Sequence, residues 1–213
     1  MDIANKRQRG QYFTVGNPFL SPAFWEWCQL INGLESKVLL EPFCGANNIP
    51  ATLKAMGWNN SWATFDIEPQ KDTAFPGQAI IEQDVLKKFP TGYSVTITNP
   101  PYLAKNSANR RGLSFPDTKY EDLYQVSLEL MLKNVDFIAA IIPESFISQG
   151  IFHERLYSVV SLTDNHFADT EHPVCLALFV PRKTGSDFSI WRNSEKIGEY
   201  QDLIKYIPKR ADV

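Results

Sequence analysis

The sequence predicts an α/β fold, in which a mostly parallel sheet carries helices on both faces. Three observations support this prediction: short apolar segments alternate with helical segments, no internal repeat or linker divides the chain, and polar residues directly follow several of the apolar segments. Strands that alternate with helices favour parallel pairing through crossover connections. In such sheets ligands bind beyond the carboxyl ends of the strands, so candidate site residues are expected there.

The composition is that of an ordinary globular protein. The chain has 213 residues, of which 44% are hydrophobic and 21% charged, and we expect a single domain over 1–213. The net charge of −3 argues against an extensive non-specific nucleic-acid surface but leaves room for a local basic patch. The apolar runs are too short for a membrane span, and no secretory signal follows the basic N-terminus. Three widely separated cysteines suggest neither a disulfide frame nor a zinc site, which favours a reducing, cytoplasmic location.

The order of elements follows from hydrophobic periodicity and capping residues. Strands are predicted at 37–41, 63–67, 79–83, 94–98, 136–143, 158–167, 174–180 and 188–191. Helices are predicted at 21–34, 48–57, 119–134 and 145–158. The three strands 63–67, 79–83 and 94–98 have the continuous apolar character of buried strands.

Polar residues mark the ends of the first three predicted strands. Glu41 opens a turn that contains a single glycine, Gly45, and is therefore not the glycine-rich loop that binds a pyrophosphate. Asp66 follows about twenty residues later, where a carboxylate accepts hydrogen bonds from a ribose in nucleotide-binding α/β folds. Asp84 ends the third strand and offers an acceptor for an adenine amine. Singly, each acid is as readily explained as a helix cap, but the succession of strand ends favours a binding site.

The fourth strand leads directly into Asn99-Pro100-Pro101-Tyr102. Proline fixes φ and has no N–H, and the residue before a proline is held extended, so this segment is stiff and its carbonyls are free. A stiff segment with an amide and an aromatic ring is suited to hold a flat polar group. A simple strand terminator is the alternative explanation.

Together these segments resemble a known family. EPFCG (41–45), FDIEP (65–69), QDVL (83–86) and TNPPY (98–102) resemble the motif series of S-adenosylmethionine-dependent amino-methyltransferases. QYFT (11–14) resembles the motif that precedes them in the gamma class of DNA adenine-N6 methyltransferases. IIPESFISQG (141–150) and HPVCLALFVPRK (172–183) resemble later motifs, so the likeness covers about 11–183. The resemblance implies a Rossmann-like methyltransferase fold that acts on DNA.

The resemblance assigns a cofactor site for S-adenosylmethionine. Thr14 is expected near the methionine end, Asp66 at the ribose hydroxyls and Ile67 against the adenine ring. Asp84 is expected to accept the bond from the adenine amine. The complete expected cofactor site comprises Tyr12, Thr14, Glu41, Phe43, Gly45, Asp66, Ile67, Asp84, Val85 and Asn99.

The resemblance also assigns the target site, in which Asn99, Pro100, Pro101 and Tyr102 are the expected catalytic residues. The Asn99 side-chain oxygen and the Pro100 carbonyl each accept a hydrogen of the adenine N6 amine, and Tyr102 stacks on the flipped base. Three further residues are expected at the substrate: Arg110, Arg111 and Phe167. The arginines lie in a polar segment, 103–119, that lacks periodicity and is expected to be a loop, and His172 is a rival to Phe167. No metal is expected, because the histidines form no ligand pattern.

Several alternatives remain open from the sequence. A cytosine-C5 mechanism is disfavoured, because no cysteine follows a proline. The same two acceptors would suit an RNA adenine or a protein glutamine as the methylated group. A non-catalytic, cofactor-binding subunit of a larger methyltransferase complex is a further alternative. The motifs leave only a short C-terminal extension, 184–213, so we expect either a short, relaxed DNA context or dependence on a specificity or restriction partner.

Overall fold

The computed structural model describes residues 17–162, 173–181, 185 and 187–206. Within this part the strands are β1 (Leu39–Glu41), β2 (Trp62–Asp66), β3 (Ile80–Glu82), β4 (Val95–Thr98), β5 (Phe137–Pro143), β6 (Leu156–Leu162), β7 (Val174–Phe179), β8 (Ser189–Arg192) and β9 (Glu195–Glu199). The α-helices are α1 (Pro22–Gln29), α2 (Asn48–Ala55), α3 (Lys105–Arg110), α4 (Leu123–Asn134), α5 (Phe146–Gln149) and α6 (Tyr200–Leu203). Short 3-10 helices occupy Pro18–Leu20, Leu34–Ser36, His153–Arg155 and Ile204–Tyr206.

All of these strands belong to one sheet, in the order β3-β2-β1-β4-β5-β7-β6-β8-β9. The first five strands pair in parallel, β7 runs antiparallel between β5 and β6, and β8 joins β6 in parallel. The antiparallel hairpin β8–β9 completes the far edge. The predicted α/β class with a mostly parallel sheet is therefore confirmed.

Helices cover both faces of the sheet. On β5, Ala139 and Ile141 face one apolar cluster, whereas Ile138 and Ile142 face the other. α1 and α2 pack into the first cluster through side chains such as Trp27, and α4 packs into the second. This burial on two faces explains why the central strands have continuous apolar sequences.

The strand order reverses between β1 and β4, so the carboxyl ends of these neighbouring strands form the topological switch point. The register between them pairs only Leu40 with Thr96. Side chains extend this short junction, because Thr96 Oγ1 donates to the Leu40 carbonyl over 2.7 Å and Thr98 Oγ1 donates to Glu41 Oε1 over 2.5 Å. The site region therefore lies where β1 and β4 are joined partly by threonine hydroxyls.

The element predictions were wrong in three places. The predicted helix 145–158 is divided, because Gly150 and Phe152 adopt positive φ values of 68° and 61°, and the chain then enters β6. The predicted buried strand 79–83 is an edge strand in which Ile81 is 50% exposed. The segment 103–119, expected as a loop, contains α3.

Other boundaries moved by a few residues. α4 begins at Leu123 rather than near 119, because Asp122 and Gln125 form a reciprocal capping box. β9 and α6 were not predicted, and the end of the predicted strand 158–167 lies outside the described residues. In the part of the chain that the structure describes, no helix has the length and apolar character needed to cross a membrane.

Candidate functional site

Glu41 lies at the carboxyl end of β1 and is almost completely buried. Its Oε1 accepts the Phe43 N–H over 3.1 Å and the Thr98 hydroxyl over 2.5 Å. Burial raises the pKa of this carboxyl to about 8, and the two hydrogen bonds offset that effect only in part. Glu41 therefore closes the turn after β1 and holds it against the end of β4.

Asp66 ends β2 and connects it to the same turn. Its two carboxylate oxygens accept the N–H groups of Gly45 and Glu68, each over 2.8 Å. Burial raises the pKa of Asp66 to about 6 despite the Gly45 bond. A carboxylate has about four acceptor positions, so two remain for a ligand hydroxyl pair.

The turn between β1 and α2 requires unusual backbone angles. Gly45 and Asn47 have positive φ values of 53° and 61°, and Asn47 is fully buried. The Asn47 Oδ1 has no hydrogen-bond partner among the described residues, whereas its Nδ2 donates to the Gln78 carbonyl over 3.5 Å. Glycine and asparagine are the residues that adopt this left-handed conformation most readily.

The third strand end leads into a turn that Asp84 itself stabilises. Asp84 Oδ1 accepts the Leu86 N–H over 3.1 Å, and Oδ2 pairs with Lys87 over 3.0 Å, so this acid stabilises its own turn. Val85 is buried in the apolar core. By contrast, Ile67, directly after Asp66, is 60% exposed and offers apolar surface beside the acid.

The segment after β4 is held firmly. Asn99 and Pro100 are buried, and Tyr102 is half-buried, with its ring edge-on to Tyr124 at 6.5 Å between centroids. The Tyr102 hydroxyl lies 2.5 Å from Asn99 Oδ1 and 2.6 Å from the carbonyl oxygen of Ile141 on β5. The hydroxyl end of the Tyr102 ring is therefore held between Asn99 and β5.

Three contacts join neighbouring strands at this edge of the sheet: Glu41 with Thr98, Gly45 with Asp66, and Tyr102 with Ile141. The sequence did not identify Thr98 as part of this arrangement. Its only signal was its position directly before Asn99.

The remaining expected site residues are more distant or not described. Arg110 and Arg111 lie at the end of α3 and are exposed, with Arg110 Nη2 donating to Ser107 Oγ over 3.3 Å. Tyr12, Thr14 and Phe167 lie outside the described residues. Among the described residues, no group of His, Cys, Asp and Glu side chains could hold a metal ion.

The side chains at these strand ends fit the adenosyl part of S-adenosylmethionine. Asp66 provides free acceptor positions for paired hydroxyls, and the exposed Ile67 provides an apolar surface for a base. Asp66, with a pKa of about 6, is ionised at neutral pH and gives the strand ends a negative charge that suits a cationic ligand.

Sequence comparison does not place the chain in a family. No protein-family model and no curated protein matches it. Comparison with solved structures does find matches. The chain resembles the methyltransferase subunit of a type I restriction-modification system from Streptococcus thermophilus, with 14% identity and a TM-score of 0.55, over 95% of this chain and 54% of that one.

Two further structures are similar. The DrdV–DNA complex, determined by cryo-electron microscopy, matches with 13% identity and a TM-score of 0.63, over 99% of this chain and 30% of that one. A proposed RNA methyltransferase from Pyrococcus horikoshii matches with 15% identity and a TM-score of 0.55, over 84% of this chain and 90% of that one.

The fold is that of S-adenosylmethionine-dependent methyltransferases. At these identities the likeness concerns the fold. The first methyltransferases and restriction-modification proteins matched are longer, and the chain spans 28% to 64% of their length. Within this methyltransferase fold, the switch point between β1 and β4 carries Glu41 on one side and Asn99 on the other.

Proposed function

We propose that the chain transfers the methyl group of S-adenosylmethionine to the N6 amine of adenine in DNA. The observation that carries the proposal is the position of Asn99-Pro100-Pro101-Tyr102. This stiff, amide-bearing segment follows β4 at the switch point and is hydrogen-bonded through Thr98 to the acidic turn after β1.

The strand ends on the β1 side would hold the cofactor, which supplies an activated methyl group when bound. Asp66 accepts hydrogen bonds from the ribose hydroxyls, and Ile67 covers one face of the adenine. Asp84 and Val85 flank the adenine amine. The methionine part is bordered by the remaining members of the proposed cofactor site: Tyr12, Thr14, Glu41, Phe43, Gly45 and Asn99.

The segment on the β4 side would hold the target amine. The N6 lone pair of adenine is delocalised into the ring, so the amine is a weak nucleophile. Acceptance of its two hydrogens by Asn99 Oδ1 and the Pro100 carbonyl favours a tetrahedral nitrogen, whose lone pair is localised and directed towards the methyl group. Pro100 and Pro101 contribute no N–H that would compete for these acceptors. Tyr102 contributes its ring to the base, and orientation rather than acid-base chemistry is the main contribution of the protein.

DNA as the substrate is supported by two exposed arginines and by the resemblance of the motifs. A base in a duplex must leave the helix to reach such a site. The exposed Arg110 and Arg111 would contact the displaced backbone, and Phe167 would form a second wall of the base pocket. The acidic balance of the chain offers little general attraction to phosphates, so we include a specificity or restriction partner in the proposal.

The test is methyl transfer from tritiated S-adenosylmethionine to DNA, RNA and protein, followed by mass spectrometry of the digested products. N6-methyladenine in DNA is the expected product. Asn99→Ala should lower kcat by roughly 100-fold or more, because one of two acceptors of the target amine is lost. Cofactor affinity should fall by far less than kcat, because Asn99 only borders the methionine part and Asp66 holds the ribose. Asn109→Ala, on exposed α3, serves as the matched control.

The second candidate is an RNA adenine or protein-glutamine methyltransferase. Glutamine carries an amide that fits the same two acceptors. An RNA substrate is favoured by one observation: the chain spans 90% of the proposed RNA methyltransferase but only 54% of the type I restriction-modification methyltransferase subunit described above. Exclusive labelling of RNA or of glutamine in the same assay would replace the DNA proposal.

A further inference from the structure

The hydroxyl of Tyr102 has more acceptors than protons. It lies 2.5 Å from Asn99 Oδ1 and 2.6 Å from the Ile141 carbonyl oxygen, but a hydroxyl donates one proton at a time. The proton serves one acceptor at a time, and the two short contacts together fix the Asn99 side chain relative to β5.

The Tyr102 hydroxyl orients the Asn99 amide. It donates to Asn99 Oδ1, and its oxygen also lies 2.6 Å from the Ile141 carbonyl oxygen of β5, so the amide is held relative to the neighbouring strand. An amide oxygen has two lone pairs, so Oδ1 can accept hydrogens from the Tyr102 hydroxyl and from a target amine together.

A second tie holds the segment on its other side. Thr98, directly before Asn99, is buried and donates its hydroxyl to Glu41 Oε1 over 2.5 Å. Because β4 lies between β1 and β5, Thr98 ties the segment to one neighbour and Tyr102 ties it to the other.

We propose that the hydroxyls of Thr98 and Tyr102 are positioning groups, which hold Asn99 and Pro100 between β1 and β5 and turn the Asn99 oxygen towards the target amine. The inference rests on the proposed function and deepens it, because it assigns the tyrosine hydroxyl a task separate from that of its ring. The ring already packs against both apolar clusters, so phenylalanine would keep that packing.

The experiment compares four conservative variants in single-turnover and steady-state assays. Tyr102→Phe and Thr98→Val each remove one hydroxyl of the proposed ties. Tyr124→Phe is the matched control for the first, because its hydroxyl bonds Gln149 over 2.9 Å. Thr64→Val is the matched control for the second, because this buried hydroxyl on β2 bonds the Ala79 carbonyl over 2.7 Å, away from the β1–β4 junction.

We expect kcat to fall on the order of 10- to 100-fold in Tyr102→Phe and in Thr98→Val. The KM for the nucleic acid and the Kd for the cofactor should stay within about threefold of the wild type, since positioning acts on the transition state. Both controls should keep the wild-type kcat. A general structural role would lower the thermal stability of test and control variants alike without this difference in kcat.

The outcomes separate this inference from the proposed function. A wild-type protein that methylates no DNA, RNA or protein contradicts the proposed function. An active wild type with unchanged kcat in either test variant, or with equal losses in the controls, overturns the positioning roles alone. If Tyr102→Phe fails to fold, Thr98→Val and its control decide the question.

Discussion

Glu41 is a carboxylic acid that folding removes from water, and this has a measurable consequence for stability. Burial raises its pKa from 4.5 to about 8, so at intermediate pH the folded chain keeps a proton that the unfolded chain has lost. The stabilisation is complete below pH 4.5 and is lost as the pH rises through about 8. Asp66 acts in the same direction in a lower window, from 3.8 to about 6.

We therefore expect the free energy of unfolding to fall between pH 5 and 8, and Glu41→Gln to flatten this dependence. Glutamine keeps the shape and an acceptor for Thr98 but cannot ionise. Urea denaturation across the pH range measures the effect. Glu82→Gln on exposed β3 is the control, and an identical slope in wild type and Glu41→Gln would refute the assignment.

Asp66 is expected to contribute directly to the affinity for the cofactor. Asp66→Ala should weaken binding of S-adenosylmethionine by roughly 10- to 100-fold, because hydrogen bonds to a charged acceptor contribute about 1.5–3 kcal/mol. Calorimetry gives the Kd directly. Glu82→Ala serves as the control, since this side chain lies on the exposed edge strand at the level of Asp66. Equal affinity in a folded Asp66→Ala protein would remove Asp66 from the cofactor site.

The sequence could place single residues at strand ends but not their partners. Asp66 and Asn99 follow apolar runs directly, and local pattern suffices to position them. The contact between Thr98 and Glu41 joins residues 57 positions apart, and that between Tyr102 and Ile141 joins residues 39 apart. Such contacts depend on which strands are neighbours, and hydrophobic periodicity does not determine the strand order.

Among the elements, α4 depends on an arginine from a distant part of the chain. The Arg155 guanidinium donates to the carbonyls of Leu132, Val135 and Asp136 at the end of α4, and its Nε donates to Val180 over 2.8 Å. These carbonyls include groups that a helix end leaves without intrahelical partners. Arg155 thereby joins the end of α4 to the chain directly after β7.

Arg155→Met should lower the free energy of unfolding by about 2–4 kcal/mol, because the apolar stem is retained while several partly buried carbonyls lose their donor. Chemical denaturation followed by circular dichroism measures this change. The exposed Arg192→Met is the control and should stay within about 0.5 kcal/mol of the wild type. A loss of similar size in both variants would mean that Arg155 acts only through general charge.

The element predictions succeeded for a long segment with regular apolar periodicity and failed where single residues determine the backbone conformation. α4 has a continuous apolar face and was predicted apart from its start, which was placed near 119 instead of at Leu123. The division of 145–158 depends on positive φ at Gly150 and at Phe152, and phenylalanine gives no signal for that conformation. The mostly polar α3 also lacks a periodic signal, because only Ala108 among its residues is buried.

On the scale of the whole molecule, the sheet is unevenly joined. β5 and β7 pair without interruption from Ile138 to Pro143, and these strands are buried on both faces. β1 and β4, by contrast, pair only at Leu40 and Thr96. Backbone amides in β5 and β7 should therefore be the slowest to exchange with deuterium, and those of β1 and the edge strand β3 should exchange earlier.

Hydrogen exchange followed by mass spectrometry tests this gradient, and uniform protection from β3 to β7 would contradict it. Thr96→Val should speed exchange in β1 more than in β5, because it removes a side-chain bond across the weak junction.

The junction between β1 and β4, which has a single backbone pair, separates two parts of the sheet. The residues proposed for the cofactor lie mainly on β1, β2 and β3, and those proposed for the target follow β4 and contact β5. In the proposed reaction, the distance between the methyl group and the target amine therefore depends on how β1 and β4 are held relative to each other. A ligand bound across this junction should hold the two parts of the sheet together. Binding of the cofactor should therefore reduce the motion of the residues that hold the target, and binding of the target should do the same for the cofactor site.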